Sequence, residues 1–501
     1  MGPTALTCSL RRGQVSFAIL LLAALASRAP AQAQTTAPLM PSGGLASMNL
    51  NGLQYGGTAP PFTYGVDTGI GETDNVSLVP TDKVSQTISI TDLDFSLNEQ
   101  SRLLLAQAKG DFSFLDYLQG AYGSQLVGRF DGIGALGLVP GRLVWVVQDD
   151  FGQAALDPYA PVTAGNMENI DYFTTGPNLT LRLGGVNFLN LYLRYSRAQY
   201  SGSPFDSNRV SAALALGREI SAGASISLNA DSEKVFFLDT AANTDYLRSS
   251  AYGKYQLQVA RTGFEVDLGV TTISDSSSTI ATPSLDPGLP ATTIFTPAHS
   301  NTGPLARIQL SRQVSPAAKI ILSGGRELTD GSSSFSTQQG DATGIIGTAN
   351  AIQSTATYTR TFASAGWQYV RNRTALELTG RWEKDLYPGE AVYDLRQWSA
   401  QFSIRRQIAR TLSAQLLGSY TKFEYPGAIP APDATTAYAD SLVGLMLAWR
   451  HGRALEVRLR IDHDVQQAIT GGYGYHDNRA FLTVGYRPGS APPPEELQAP
   501  L

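Results

Sequence analysis

The sequence predicts an all-β fold, a transmembrane antiparallel up-and-down β-barrel of about 20 strands, with roughly 16–18 as the alternative count. Three observations lead to this prediction. Segments of about ten residues alternate between apolar and polar side chains, short and long connections take turns between those segments, and the N-terminus has the parts of an export signal.

Residues 455–465 show the alternation most clearly. Side chains of a β-strand point to alternate faces, and here one face is apolar and the other is charged. The apolar face holds Leu455, Val457, Leu459 and Ile461, and the charged face holds Glu456, Arg458, Arg460, Asp462 and Asp464. A helix would scatter these charges around its circumference, so only a strand sorts them.

Composition excludes several other classes of protein. The chain has 501 residues, of which 16% are charged and 43% hydrophobic, with a net charge of -5. Beyond the N-terminus no window holds the roughly 20 consecutive apolar residues that a membrane-spanning helix needs. The mild acidity offers no basic stripe for phosphates, so we expect no nucleic acid as partner.

Residues 1–33 are predicted to be a signal peptide, with Arg11-Arg12, an apolar run over 15–26, and cleavage after Ala33 or, alternatively, Ala31. Cys8 is the only cysteine and precedes the apolar run, so it is not a lipoprotein acceptor. We therefore expect export through the periplasm to the cell outer membrane of a Gram-negative bacterium.

The rest of the chain divides into three predicted regions. Residues 34–61 form a flexible periplasmic lead-in, 62–487 the outer-membrane barrel, and 488–501 a disordered C-terminal tail. The predicted strands are 62–72, 84–97, 102–112, 121–136, 142–152, 169–184, 187–200, 207–218, 223–235, 245–258, 263–274, 303–313, 319–330, 353–369, 374–386, 391–406, 411–424, 437–450, 454–465 and 476–487.

The connections between these strands are of two kinds. Tight turns are predicted at 98–101, 139–141, 184–185, 221–223, 260–263, 315–317, 371–373, 408–410 and 451–453. Long polar loops alternate with them, and the longest are 153–168, 275–302, 331–352 and 424–436. A membrane barrel keeps short turns at its periplasmic rim and longer loops outside, whereas a soluble sandwich has no reason to alternate them.

Aromatic side chains near the predicted strand ends fit membrane-interface girdles, although aromatic residues are enriched in any sheet. They are Tyr195, Tyr255, Tyr369, Trp382, Tyr420, Trp449 and Tyr486.

Residues 69–90, with Glu72-Thr73-Asp74-Asn75-Val76-Ser77-Leu78 closing the first hairpin, and residues 101–153 carry a family resemblance. They are similar to the opening of the β-barrel porin type 2 family, which includes relatives beside exopolysaccharide-export and exosortase loci. The resemblance implies an outer-membrane barrel that serves secretion of surface polysaccharide, and it brings no catalytic residues. The chain departs from the family pattern after its last predicted strand, where residues 487–501 are rich in Pro and Glu.

Reactive motifs give no catalytic site, no metal site and no cofactor. Asp462-His463-Asp464 resembles a triad fragment, but alternation points His463 away from both aspartates. The glycine-rich stretch 471–475 has no strand-turn-helix context and is predicted to be an outer loop. Isolated Asp341, Asp433 and Asp440 could hold Ca²⁺, but they lack a ligand spacing, and solvated carboxylates are the favoured interpretation.

Eight charged residues are predicted to line the pore: Glu377, Arg381, Glu383, Arg405, Arg458, Arg460, Asp462 and Asp464. Two interpretations stay open for them. They set a field along a translocation path, with Arg458 and Arg460 as a short positive ladder, or they pair with one another and only keep the lumen hydrated.

Three functions follow from this fold. The favoured one is an outer-membrane channel or secretion accessory linked to export of surface polysaccharide. The second is a passive structural barrel that docks partners through its long extracellular loops, and the third, an outer-membrane enzyme, lacks a candidate active site, so we expect no enzyme. Expected partners are outer-membrane lipid and lipopolysaccharide, a polysaccharide substrate and its export machinery.

Overall fold

Twenty antiparallel strands close into one barrel within the part of the chain that the structure describes. The structure is a computed structural model that describes residues 62–240, 243–276, 278–282, 292–296, 298–338, 356–388, 390–428, 435–452 and 454–488. These residues belong to one unit, Pro38–Leu501, and the other unit, Met1–Ala37, lies outside them. The predicted signal peptide, the lead-in and tail residues 489–501 also lie outside the described residues.

The elements follow the chain in a simple order. The strands are β1 Phe62–Thr73, β2 Gln86–Gln100, β3 Leu104–Tyr117, β4 Gln125–Val139, β5 Leu143–Ala155, β6 Met167–Leu183, β7 Asn187–Tyr200, β8 Ser207–Ser221, β9 Ala224–Phe237, β10 Tyr246–Val259, β11 Thr262–Asp275, β12 Ser278–Thr282, β13 Thr292–Thr296, β14 Ser300–Ser315, β15 Ala318–Thr329, β16 Tyr358–Arg371, β17 Thr374–Leu386, β18 Leu395–Gln407, β19 Leu412–Glu424, β20 Ala437–His451, β21 Leu455–Thr470 and β22 Tyr475–Tyr486. One α-helix, α1, spans Gly331–Gln338, and short 3-10 turns occupy Ala164–Asn166 and Ala391–Tyr393.

Each barrel strand pairs with its neighbour in the sequence, and β1 pairs with β22 to close the sheet. The predicted fold class and the count of about 20 strands are therefore confirmed. Strands β12 and β13 form a separate two-stranded sheet within the connection that follows β11. That hairpin and α1 lie in two connections that the sequence predicted as loops without regular structure.

Short and longer connections alternate around the barrel, although the last connection of the longer set, 471–474, has only four residues, as many as the turn 408–411. The turns at 101–103, 140–142, 184–186, 222–223, 260–261, 316–317, 372–373, 408–411 and 452–454 lie at one rim, and the longer connections lie at the other. By the convention of bacterial barrels the first rim is periplasmic and the second is extracellular. We call the strand ends at the second rim the outer ends.

The outward face of the barrel is apolar because the pleat sends alternate side chains outward. Leu268 of β11 is 61% exposed, whereas the preceding Asp267 faces the lumen and is fully buried. On β21, Leu459 and Ile461 are exposed outside while Glu456 and Asp462 are buried inside, which is the parity expected from the sequence. A closed sheet with a lipid-facing apolar wall belongs in the outer membrane. None of the described helices is long and apolar enough to cross a membrane.

The seam between β1 and β22 is the shortest pairing of the barrel, running from the pair Val66 and Tyr486 to the pair Thr73 and Arg479. Glycine at position 71 lets the ring of Phe481 lie against the β1 backbone, because a Cβ there would overlap that ring. At the outer end, Asn75 donates to the carbonyl oxygen of His476 at 3.0 Å, and Thr73 donates to Asp477 at 2.5 Å. The first long connection is thus fastened to the last strand.

Candidate functional site in the barrel lumen

All eight residues of the predicted pore lining lie on lumen-facing positions of three strands. Glu377, Arg381 and Glu383 alternate with outward residues on β17, Arg405 does so on β18, and Arg458, Arg460, Asp462 and Asp464 do so on β21. Their role in conduction stays a prediction. The structure divides them into separate groups, each completed by residues of neighbouring strands.

On β17, Arg381 forms an ion pair with Glu383 at 2.5 Å, and Glu383 also contacts Arg360 of β16 at 3.0 Å. Arg360 is 3% exposed and was not singled out from the sequence. Glu377 accepts a hydrogen bond from Gln368 at 3.3 Å. The β17 charges are therefore bound into the wall.

On β21, each arginine has a carboxylate two residues away on the same face. Arg458 Nε lies 2.6 Å from Glu456, and Arg460 Nε lies 2.7 Å from Asp462. Asp464 pairs with Arg479 of β22 at 3.0 Å. The expected positive ladder of Arg458 and Arg460 is corrected accordingly, because both guanidinium groups are neutralised by the strand that carries them.

Arg405 has a different environment from the other predicted arginines. Its guanidinium donates to Gln415 of β19 at 2.8 Å, so its bound partner is an amide and not a carboxylate. Arg405 is thus the member of the predicted set that comes nearest to an unneutralised lumen cation.

A further ionic group, which we call the seam clamp, lies at the periplasmic end of the seam. Arg487, directly after β22, forms ion pairs with Asp67 of β1 and Asp94 of β2, and its Nε lies 3.5 Å from Glu456 of β21. Arg458 also lies 3.4 Å from Asp67. Sequence reasoning missed this clamp because its members are separated by almost the whole chain.

A buried ionic group of the outer half joins the wall to α1. Arg209 of β8 contacts Asp330 at 2.8 and 3.1 Å through its two terminal nitrogens, and it lies 3.8 Å from Glu233 of β9. Glu233 in turn pairs with Arg248 of β10 at 2.8 Å. All four side chains are buried, so these charges are held by one another and not by bulk water.

Asp330 also caps α1. The backbone amides of Ser332 and Ser333 donate to its carboxylate at 3.1 and 3.2 Å, as expected for an N-cap aspartate. Burial alone would raise the pKa of Asp330, but the Arg209 guanidinium, its hydrogen bonds and the charge of Arg248 lower that pKa well below its ordinary value. The carboxylate is therefore ionised at any physiological pH.

Helix α1 crosses the lumen from β15–β16 towards β5–β8. Ser332 shares a 2.6 Å hydrogen bond with Tyr200 of β7, and Ser334 accepts one of 2.6 Å from Tyr358 of β16. Phe335 packs against an apolar cluster that includes Ile170, Tyr172 and Tyr200. We call α1 with Asp330 the latch helix, because its contacts join parts of the wall that are several strands apart.

A second segment crosses the outer lumen. It is the connection 156–166 between β5 and β6, which we call the crossing loop. Tyr159 at its centre donates to the carbonyl oxygen of Val392 at 2.6 Å and meets the ring of Tyr425 edge-on at 4.9 Å. The hydroxyl of Tyr438 on β20 donates to the carbonyl oxygen of Pro158 at 3.3 Å. The outer half of the lumen is thus occupied by two connections.

In the described part of the chain, no group of three or more His, Cys, Asp or Glu side chains is arranged to hold a metal ion. Asp440, expected in a loop, lies on a lumen-facing position of β20. Asp341 and Asp433 lie outside the described residues.

Comparison with known proteins gives likenesses of architecture. No protein-family model matches the chain. No curated protein matches it either. Among solved structures, the chain is similar to the open form of the ferric-catecholate import receptor Fiu from E. coli K12, with a TM-score of 0.45, 9% identity, and 85% of this chain and 81% of that chain covered. It is also similar to the copper transporter OprC, with a TM-score of 0.43, 10% identity, and coverage of 87% and 82%.

A third similar structure is the FrpB iron transporter from Neisseria meningitidis, with a TM-score of 0.41, 8% identity, and 86% of this chain and 83% of that chain covered. The fold of the present chain is established by its own strand pairing. The resemblance to the β-barrel porin type 2 family stays a prediction.

Proposed function

We propose that this protein is an outer-membrane channel or secretion accessory whose lumen is closed by the latch helix and opens when that helix leaves the wall. Barrels of about 16–18 strands already leave an aqueous channel, so a barrel of 20 strands needs a filling to be closed. The latch helix and the crossing loop supply that filling from the extracellular side.

The buried ion pair between Arg209 and Asp330 carries this proposal. A connection that merely rested in the lumen would need no buried charge, whereas this one places an ionised carboxylate against a guanidinium of β8, five barrel strands away from β15. Breaking such a pair by removing one partner costs about 3–5 kcal/mol in buried settings. This pair is strong enough to hold a short helix in place. Because it joins only two side chains, it can break in a single step.

A surface polysaccharide, or fragments of it, is the solute that we propose. The family resemblance of residues 69–90 and 101–153 is the basis for this choice. Support comes from the lumen chemistry, because charged pairs and tyrosine hydroxyls offer both donors and acceptors to sugar hydroxyl groups.

Single-channel recording in planar bilayers tests the gate. Asp330→Asn is the informative variant, since asparagine is as good an N-cap as aspartate but has no charge for Arg209. We expect wild-type protein to be mostly closed and Asp330→Asn to open at least about ten-fold more often, which corresponds to a loss of about 1.4 kcal/mol from the closed state.

Asp82→Asn is the matched control, because Asp82 is an exposed aspartate of another extracellular connection and is far from the lumen contacts described above. It should record like the wild type. A wild-type channel that is constantly open, or equal opening in both variants, would contradict the latch.

The solute is tested on the opened variant. Reversible block of the Asp330→Asn current by added polysaccharide, with no block by polyethylene glycol of similar size, is the expected result. If the variant conducts and no polysaccharide blocks it, the gated channel stands and the polysaccharide assignment fails.

A further inference from the structure

We infer that the outward wall of β15, β17, β18 and β19 binds phosphorylated lipid headgroups of the outer leaflet through four cations. This outer basic patch consists of Arg326, Lys384, Arg396 and Lys422. The patch lies on the outward face of the barrel wall, so its lipid binding is independent of the lumen and of conduction.

All four cations lie near the outer ends of their strands. Strand β17 ends at Leu386 and β18 begins at Leu395, so Lys384 and Arg396 are within two residues of those ends. Strand β15 ends at Thr329 and β19 at Glu424, which puts Arg326 and Lys422 at a similar level. At about 3.3 Å per residue, the patch lies within roughly 10 Å of the outer rim.

The strand alternation points these side chains away from the lumen. Lys384 lies between Glu383 and Asp385, which are buried inside at 3% and 5% exposure. Trp398, two residues after Arg396 on the same face, is 57% exposed. The cations therefore project toward the membrane and its surface.

The strand register brings the patch together. Arg326 is opposite Thr361 of β16, Thr361 is opposite Lys384, and Lys384 is opposite Arg396. Arg396 is opposite Glu424, and Lys422 follows two residues inward on that strand. Five adjacent strands spaced about 4.8 Å apart place the row within about 20 Å, a width that one or two lipid headgroups can cover.

Three of the four cations have no anionic partner in the described part of the chain. Lys422 pairs with Glu424 at 2.6 Å, but no ion pair joins Arg326, Lys384 or Arg396 to any described residue. The lumen cations Arg360 and Arg458 both have carboxylate partners. Neighbouring unpaired cations repel one another, so the patch is completed by anions from outside the chain.

The surroundings identify those anions as lipid headgroups. Trp382 and Trp398, with ring centroids 6.1 Å apart, lie just below the cations, as aromatic girdles do at a membrane interface. Phosphate suits this position because guanidinium groups bind it in a bidentate manner and basic clusters bind anionic membrane surfaces.

The patch is not a general property of the rim. The outward-facing charges in the outer halves of β1, β3 and β6 are acidic, namely Glu72, Asp116 and Asp171. Outward cations also occur singly on other strands near this rim, Arg197 on β7 and Lys234 on β9, whereas the patch brings four together on β15 and β17–β19.

The test measures retention of lipid A by the full mature protein in detergent, by native mass spectrometry. Wild-type protein should prefer bisphosphorylated lipid A to dephosphorylated lipid A. The triple variant Arg326→Gln, Lys384→Gln, Arg396→Gln should bind the bisphosphorylated form at least about ten-fold more weakly, because each cation near an anionic surface contributes roughly five-fold in affinity.

The matched control removes three outward arginines from the periplasmic end of the same sector. Arg312→Gln, Arg371→Gln, Arg406→Gln changes the net charge equally and should bind within about two-fold of the wild type. Both variants must first show the compact band of a folded barrel on an unheated gel.

Every other outcome overturns the inference. Equal losses in both triple variants would show that net charge, and not the patch, determines lipid A binding. A wild type that binds both forms of lipid A equally would show that the phosphates are not recognised, whatever the variants do. Displacement of lipid A by millimolar inorganic phosphate would identify a small-anion site and not a lipid site.

Discussion

Replacing Arg487 by glutamine should weaken the seam at which the first and last strands close the barrel. The guanidinium of Arg487 joins Asp67, Asp94 and Glu456, which lie on three different strands. The seam has the fewest paired residues of any junction in the described barrel, so a polar clamp contributes more there than elsewhere.

The size of the effect follows from the burial of the partners. Asp67 is fully buried, and breaking a buried pair costs about 3–5 kcal/mol. Arg458 remains 3.4 Å from Asp67, and the side chain of Asp94 is 36% exposed and can be hydrated. We therefore expect the low end of that range, about 3 kcal/mol.

Denaturant unfolding of the barrel in lipid vesicles measures this loss, with the compact band on an unheated gel as the check of folding. Arg450→Gln is the control, since Arg450 contacts the same Glu456 at 3.3 Å but lies on β20, away from the seam. It should cost less than about 1 kcal/mol, as more exposed pairs do. Equal losses in the two variants would refute a special role of the seam.

Two further predictions concern the wall and the gate. Leu378→Arg, at an outward position 51% exposed, should destabilise the barrel by about 2–4 kcal/mol, whereas Thr379→Arg on the lumen side should change the unfolding free energy by less than about 1 kcal/mol; similar losses would contradict the assigned faces. Because the pKa of Asp330 lies below its ordinary value, its contribution to the closed state is complete above the ordinary pKa of an aspartate and is lost only as the pH falls through the lowered value. Conductance should stay low from pH 7 down to about pH 4 and rise below that; a rise already between about pH 7 and 5 would mean that another group controls opening.

The architecture was predictable because one physical constraint, lipid outside and water inside, determines every strand. The period-two signal fades where the lipid ends, whereas hydrogen bonding between strands continues. Strand β21 was accordingly predicted to stop at residue 465, but it reaches Thr470 and pairs with β20 and β22 beyond the apolar segment. Strand boundaries predicted from hydrophobicity alone therefore mark where the lipid-facing segment ends, and the hydrogen-bonded strand extends beyond that point.

The latch helix could not be predicted in the same way. Its sequence, Gly-Ser-Ser-Ser-Phe-Ser-Thr-Gln, has neither an apolar stripe nor strong helix formers. Helix formation here depends on the cap at Asp330, on contacts with Arg209 and Tyr200 more than 120 residues earlier, and on Tyr358 of the following strand. A local pattern contains no trace of those partners.

The lumen charges could be predicted in part. Alternation predicts which face a charged residue occupies, because the face depends only on its position in one strand. The partner depends on the register of the next strand, which alternation does not fix. Asp464 was therefore placed on the lumen face, while its pairing with Arg479 depends on the register between β21 and β22.

The arrangement around Arg209 is compatible with reversible opening of the proposed latch. When Asp330 leaves with the helix, Arg209 keeps Glu233 at 3.8 Å, and Glu233 keeps Arg248 at 2.8 Å. Glu233 then lies between two arginines and shares its charge between them, which makes opening less costly than leaving a buried guanidinium with no carboxylate at all. Asp330 in turn becomes hydrated at the extracellular mouth, where its ordinary pKa keeps it ionised. Both sides of the broken pair thus have a favourable state to enter, which is the requirement for a gate and not for a permanent plug.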